Sequence, residues 1–236
     1  MIYMGSKNRI AKHILPIILK DRKDDQYFVD VFTGGGNLIQ HVDGNCIGSD
    51  INKYTISFLN KIKEDTEWIP KNIADFTKED YQLVKNNKES FCDYELGHIG
   101  YNLSFGGKWF GGWCHNTNHK DYVKAGYEHV LRQADKLNKH IFICSSYLDL
   151  EIPNNSIIYC DPPYQKTTKY DAISKNFNHE VFWEWCRIMS EYHQVFVSEY
   201  NAPDDFECVW KKEVNMKLEL KSNSTKRIEK LFVYKN

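Results

Sequence analysis

Short apolar runs alternate with helix-periodic segments along most of this chain, and that alternation narrows the folds open to it. "YFVDVF" (27–32), "CIGSDI" (46–51), "IFIC" (141–144) and "IIYC" (157–160) read as strands. Helical spacing joins Ile10, Ala11, Ile14 and Ile18, with Ser6 placed to cap and Pro16 placed to kink the helix. It joins Tyr54, Phe58, Leu59 and Ile62, then Tyr122, Ala125, Val130, Leu131 and Ala134. Asn178 precedes a further helix with Phe182, Trp185, Cys186 and Met189, and Thr77 with Asp80 forms a capping-box pattern. Strands separated by helices pair in parallel and are covered on both faces. "QVFVSEY" (194–200), "FECVWKKEV" (206–214) and "RIEKLFVYK" (227–235) follow one another without a clear helix, which predicts an antiparallel ending. Residues 93–120 break the alternation with six glycines and a dense aromatic content, as an inserted lobe or binding loop does. At 236 residues the chain can bury one substantial core with such an insert.

Two strand ends carry chemistry. "YCDPPY" (159–164) closes an apolar strand with a carboxylate, two prolines and a tyrosine. An ionised Asp161 is expensive to bury without a partner. Pro162 and Pro163 remove two backbone donors and stop the strand pairing. The corner is therefore rich in acceptors, with an aromatic face beside them, and suits a flat ligand that donates hydrogen bonds. "FVDVFTGGGN" places Asp30 and Phe32 before Gly34, Gly35 and Gly36, and open α/β sheets bind ligands where such glycines let the backbone approach closely. Asp50 ends the next strand, where a carboxylate can accept from ribose hydroxyls. The spacing is not G-x-G-x-x-G, so a pyrophosphate is not indicated.

These stretches in this order, "YMGSK" (3–7), "FVDVFTGGGN" (28–37), "GSDIN" (48–52) and "YCDPPY", resemble the Dam-type DNA adenine-N6 methyltransferases (D12 class, alpha order). The ending "STKRIEKLFVYKN" is similar to that family's last strand. The resemblance implies a Rossmann-like S-adenosylmethionine-dependent methyltransferase fold. Its sheet would be twisted and mostly parallel, with antiparallel C-terminal strands and a small inserted recognition lobe. It also implies methyl transfer from S-adenosylmethionine to the N6 amino group of adenine in DNA, after base flipping and by direct attack. Asp161, Pro162 and Tyr164 would be catalytic. Tyr3, Lys7, Asp30, Phe32, Gly34, Gly36, Asp50 and Asp161 would contact the cofactor. The chain departs from the family in having Tyr3 and Gly5-Ser6 where Trp and Gly-Gly are usual. Its segment 102–113, "NLSFGGKWFGGW", is aromatic-rich like the family's base-reading loop but lacks the Phe-Asn and Arg pattern of GATC readers.

The expected division is a catalytic domain of 1–64 and 139–236 around a target-recognition lobe of 65–138. Net charge is −1, so bulk electrostatics is silent on nucleic acid. Local basic segments can still present a phosphate-binding face. Lys108, Trp109, Phe110, Trp113, Lys120 and Lys124 in the insert, with Lys166 and Lys169 after the DPPY corner, are the candidate DNA contacts. Lobe core is an equal reading for the three aromatics; for Lys166, Lys169 and Lys175 a solvated loop is the plain reading and phosphate contact the preferred one. Cys114, His115 and His119 lack a second pair to complete a zinc site, so no metal is expected. Seven cysteines without C-x-x-C read as free thiols of a reducing compartment. No apolar run reaches membrane-span length and the polar start has no signal-peptide pattern, giving an expected cytoplasmic protein, bacterial or phage-encoded. Double-stranded DNA is the expected partner, met as a monomer or as a dimer on DNA, within restriction–modification or a related role. The rival readings are an RNA adenine methyltransferase and a catalytically silent nucleic-acid-binding module. Arg227 and Lys230 read as surface charges on the last strand.

Overall fold

The computed structural model describes residues 1–114, 121–164, 177–216 and 225–235. Among them seven strands form a mixed α/β structure: β1 (Phe28–Asp30), β2 (Cys46–Asp50), β3 (Ile141–Cys144), β4 (Ile157–Cys160), β5 (Gln194–Ser198), β6 (Phe206–Met216) and β7 (Thr225–Tyr234). Their order is β3-β2-β1-β4-β5-β7-β6. The sheet is mostly parallel and ends in the expected antiparallel pair, β6 with β7. The helices are α1 (Asn8–Ile18), α2 (Lys53–Glu64), α3 (Lys78–Asn86), α4 (Asp93–Gly97), α5 (Tyr122–Leu137) and α6 (His179–Ser190). The chain divides into two compact units, Met1–Lys12 with Thr33–Leu150 and His13–Phe32 with Glu151–Asn236.

In the first unit β2 and β3 pair in parallel, Ile47 opposite Ile141 and Asp50 opposite Cys144. Local signals account for the helices. Asn52 caps α2 by accepting from the Tyr54 amide. Thr77 and Asp80 form the reciprocal capping box that opens α3, and Asp121 caps α5 through the Lys124 amide. Each cap satisfies amides that a helix leaves orphaned. A single turn of π-helix, His98–Asn102, continues directly from α4. Phe76, Tyr81, Val84, Leu96, Ile99, Leu103, Phe110, Trp113 and Val123 form one apolar cluster here.

In the second unit β1 pairs with β4 and β4 with β5, all in parallel, and β5 meets β7 antiparallel. β1 and β4 are buried along their whole length, which is why Phe28–Val29 and Ile157–Cys160 read as apolar without alternation. Asn178 caps α6 by accepting from the Glu180 and Val181 amides. The strand order reverses between β1 and β4. In open α/β sheets that switch point, at the carboxyl ends of the strands, is where ligands bind.

Candidate active site

The first unit builds a tight glycine turn. The Thr33 amide donates to the Ser49 carbonyl at 2.9 Å and the Gly36 amide to the Thr33 carbonyl at 2.8 Å. Gly34 and Gly36 take φ of +46° and +67°, where an L side chain is strained. Asp50 closes the turn from β2, its Oδ2 accepting from the Gly34 amide and its Oδ1 from the Asn52 amide, both at 2.9 Å. Tyr3 lies over the turn. A Cβ on Gly34 would come within 2.7 Å of the Tyr3 ring, and one on Gly35 within 2.8 Å of Tyr3 Cβ.

Residues that sequence reasoning missed hold Tyr3 there. The Ile2 amide donates to Asn102 Oδ1 at 2.8 Å, and the Met4 amide to the Gly107 carbonyl at 3.1 Å. The Tyr101 ring sits 5.0 Å from that of Tyr3, and its hydroxyl accepts from Asn52 Nδ2 at 2.6 Å. Buried Gln133 on α5 donates from Nε2 to the Gly35 carbonyl at 2.8 Å. Lys7 is partly exposed, with Nζ 3.5 Å from the Gly5 carbonyl. Thr33 Oγ1 and Asn37 Nδ2 are buried at the turn and find no hydrogen-bond partner among the described residues. Buried polar atoms are normally satisfied, so these two fit a turn that receives a polar ligand.

In the second unit Asp30 and Asp161 stand at the ends of neighbouring strands, because Asp30 pairs with Tyr159 across β1 and β4. Asp30 is 2% exposed, and its Oδ1 accepts from the Phe32 amide at 3.4 Å. The Phe32 ring packs edge-on against Phe177 and Phe182, both at 5.8 Å. The two carboxylates leave an electrostatic mark. Burial pushes the Tyr159 hydroxyl well above the usual phenol range, and Asp161 and Asp30 push it further. Pro162 is buried, and Tyr164 follows with its hydroxyl donating to Glu229 Oε2 at 3.0 Å. Tyr200, just beyond β5, meets the Tyr164 ring edge-on at 4.6 Å and 86°. The Tyr200 hydroxyl accepts from Arg227 Nη1 at 3.1 Å, so Arg227 is a bonded, partly buried residue rather than a plain surface charge.

Phe110 and Trp113 lie in the core of the first unit. Trp109 is partly buried, stacked on Tyr54 at 4.6 Å and tilted against Tyr101 at 4.8 Å. Gly100 makes room for these rings, since a Cβ there would lie 2.4 Å from Trp109 and 2.8 Å from Phe110. Lys108 and Lys124 are exposed, and so is Phe105, at 72%, in the turn beside Gly106 and Gly107. Lys120, Lys166, Lys169 and Lys175, like His115 and His119, lie outside the described residues.

Comparison with known proteins adds identity to this geometry. Residues 3–120, half of the chain, match the model of the D12 class N6 adenine-specific DNA methyltransferases. The chain is 26% identical over 219 residues to the type II methyltransferase M.FokI of Planomicrobium okeanokoites, covering 79% of this chain and 31% of that protein's length. Against the crystal structure of SMU.472 complexed with SAH the TM-score is 0.39, with 10% identity, over 98% of this chain and 52% of that one. The matched segment takes in the glycine turn, Asp50 and the aromatic insert, and by that match the chain belongs to the D12 class N6 adenine-specific DNA methyltransferases.

Proposed function

We propose that the chain methylates the N6 amino group of adenine in double-stranded DNA, using S-adenosylmethionine and a base flipped out of the duplex. The observation that carries this reading is the Asp161-Pro162-Pro163-Tyr164 corner at the switch point of the sheet, in a chain of this family. The amino nitrogen of adenine is a poor nucleophile because its lone pair is conjugated into the ring. Asp161 and the Pro162 carbonyl accept hydrogen bonds from its two hydrogens and draw it toward a tetrahedral, nucleophilic form. Neither proline offers an amide hydrogen, so the two residues after Asp161 add no backbone donor beside the acceptors. Tyr164 gives the base an aromatic face. The residues thus act by orientation and by placing negative charge where the nitrogen becomes cationic. S-adenosylmethionine, when bound, supplies an electrophilic sulfonium methyl that needs no metal to activate it.

Tyr3, Lys7, Gly34, Gly36 and Asp50 in the first unit, and Asp30, Phe32 and Asp161 in the second, are the proposed cofactor contacts. The orphaned Thr33 and Asn37 atoms support a polar ligand at the glycine turn. A carboxylate has about four acceptor sites, so Asp50 can hold two amides and still accept from ribose hydroxyls. Asp50→Ala is expected to weaken S-adenosylmethionine by about 1–3 kcal/mol, read by titration calorimetry. Unchanged affinity would remove Asp50 from the cofactor site.

We assign residues 65–138 to target recognition, with the protein acting as a monomer in the cytoplasm of a bacterial cell. The exposed turn carrying Phe105 and Lys108 is the DNA face. Lysine fixes the phosphates and the phenyl ring suits the gap left by a flipped base, while Phe110 and Trp113 shape the turn from within. Lys108→Ala is expected to weaken DNA binding and flatten its salt dependence by about one unit of slope. Cofactor affinity should stay at the parent value, and an unaltered slope would take Lys108 off the phosphates. The test of the whole reading is incubation of unmethylated plasmid DNA with the protein and S-adenosylmethionine, followed by long-read sequencing. N6-methyladenine in a recurrent context is the expected result. Methyl groups found only on RNA, or none at all, would overturn it.

A further inference from the structure

Nothing in the chemistry above uses Glu229, although it is a carboxylate only 8% exposed, in the interior of β7. Its position is set by the sheet, since Glu229 pairs with Lys212 of β6 and Leu231, two residues on, pairs with Ser198 of β5. Tyr164 follows two prolines and lies outside any strand or helix, so side-chain contacts, not strand pairing, set its ring.

Two such contacts stand out. The hydroxyl donates to Glu229 Oε2 at 3.0 Å, which fixes the far end of the ring. Tyr200 abuts it edge-on at 4.6 Å, the favoured arrangement of two aromatic rings. Tyr200 is itself tied by the 3.1 Å bond from Arg227, on the same strand as Glu229. The phenol stays protonated and able to donate, because burial and the neighbouring Asp161 and Glu229 charges hold its pKa well above the ordinary value.

From this geometry we propose that Glu229 is a positioning residue for methyl transfer: it holds the Tyr164 ring in the plane that receives the flipped adenine, with Arg227 and Tyr200 as a second brace. The inference rests on the methyltransferase reading above and deepens it. A preset platform spares the enzyme the entropy of ordering the ring when the base arrives, and small misplacements at a reacting centre cost up to about a hundredfold in rate.

The experiment compares Glu229→Ala, Glu229→Gln, Tyr164→Phe and the double variant Tyr164→Phe/Glu229→Ala on unmethylated plasmid DNA. Glu229→Ala should lower kcat by about tenfold to a hundredfold, with the KM for S-adenosylmethionine little changed. Glutamine keeps an acceptor for the hydroxyl, so Glu229→Gln should restore most of the rate. Tyr164→Phe should resemble Glu229→Ala, and the double variant should be no worse than either, because both singles break one bond. Protein carrying tyrosine labelled with ¹³C at Cζ gives a readout that does not depend on turnover. The Tyr164 resonance, assigned through Tyr164→Phe, should move in Glu229→Ala and stay near its parent position in Glu229→Gln. An unmoved resonance, multiplicative losses in the double variant, or a Glu229→Gln protein as slow as Glu229→Ala would each overturn the proposal. A parent protein that methylates no adenine, with the resonance shift present, would instead overturn the methyltransferase reading.

Discussion

Asp161→Ala is expected to slow methyl transfer to adenine in DNA by about a hundredfold or more and to leave the melting temperature within a few degrees of the parent. Both halves of this expected result follow from where Asp161 stands. It is the first residue beyond β4 and only partly buried, so trimming it opens no cavity in the apolar core. The rate is another matter. In the proposed chemistry the carboxylate is the charged acceptor for the amino nitrogen as it turns cationic, and losing a comparable preorganised group costs about a hundredfold to a thousandfold in kcat. Asp161→Asn keeps one neutral acceptor and should fall between the two. Tritium transfer to plasmid DNA and thermal melting, measured on the same preparations, decide the point. Near-normal turnover in Asp161→Ala would show that the carboxylate does not orient the base, and a collapse in stability would make it a structural group.

What could be read from the sequence and what could not divide along physical lines. The α/β alternation and the antiparallel ending follow from apolar patterns local in the sequence, the Thr77–Asp80 capping box and the Asn178 cap from bonds within three residues, and each is present in the structure. Apolar residues without alternation at 28–29 and 157–160 announced strands buried on both faces. The supports of the site span far greater separations. Gln133 reaches the Gly35 carbonyl across 98 positions, Asn102 reaches the Ile2 amide across 100, and Glu229 reaches Tyr164 across 65. No local pattern encodes such bonds. Arg227 illustrates the same limit: on a strand it reads as one more surface cation, and only the fold places Tyr200 under it. In the insert the obstacle is chemical ambiguity. Phe105 and Phe110 stand five residues apart in one glycine-rich run, yet one is exposed and the other is core. Aromatic residues beside glycines look alike whether they fill a lobe or face a ligand.

Gly97→Ala, a change of one methyl group, should be the most damaging small substitution in the first unit. Gly97 ends α4 where that helix crosses α2, and an ideal Cβ there would lie 2.2 Å from the Tyr54 carbonyl oxygen and 2.9 Å from Phe58 Cβ. Neither atom is the end of a flexible side chain. The Tyr54 carbonyl is backbone in the first turn of α2, so one helix must shift bodily. Alanine favours a helix over glycine by up to about 1 kcal/mol, but overpacking a tight contact costs about 1–3 kcal/mol and sometimes more. The clash should win, lowering the melting temperature by several degrees. The consequence should also reach the cofactor. The π-turn that continues α4 carries Tyr101 and Asn102, which hold the Tyr3 segment over the glycine turn. A displaced α4 therefore loosens Tyr3, and S-adenosylmethionine should bind more weakly although Gly97 is not among its proposed contacts. Gly106→Ala is the matched control. It has a φ of +65° but open space around its Cβ position, so it carries backbone strain without a clash. It should cost about 1 kcal/mol of stability and leave cofactor affinity at the parent value. Equal effects from the two variants, in melting and in calorimetric titration alike, would mean that the close approach of α2 and α4 does not govern the placement of Tyr3.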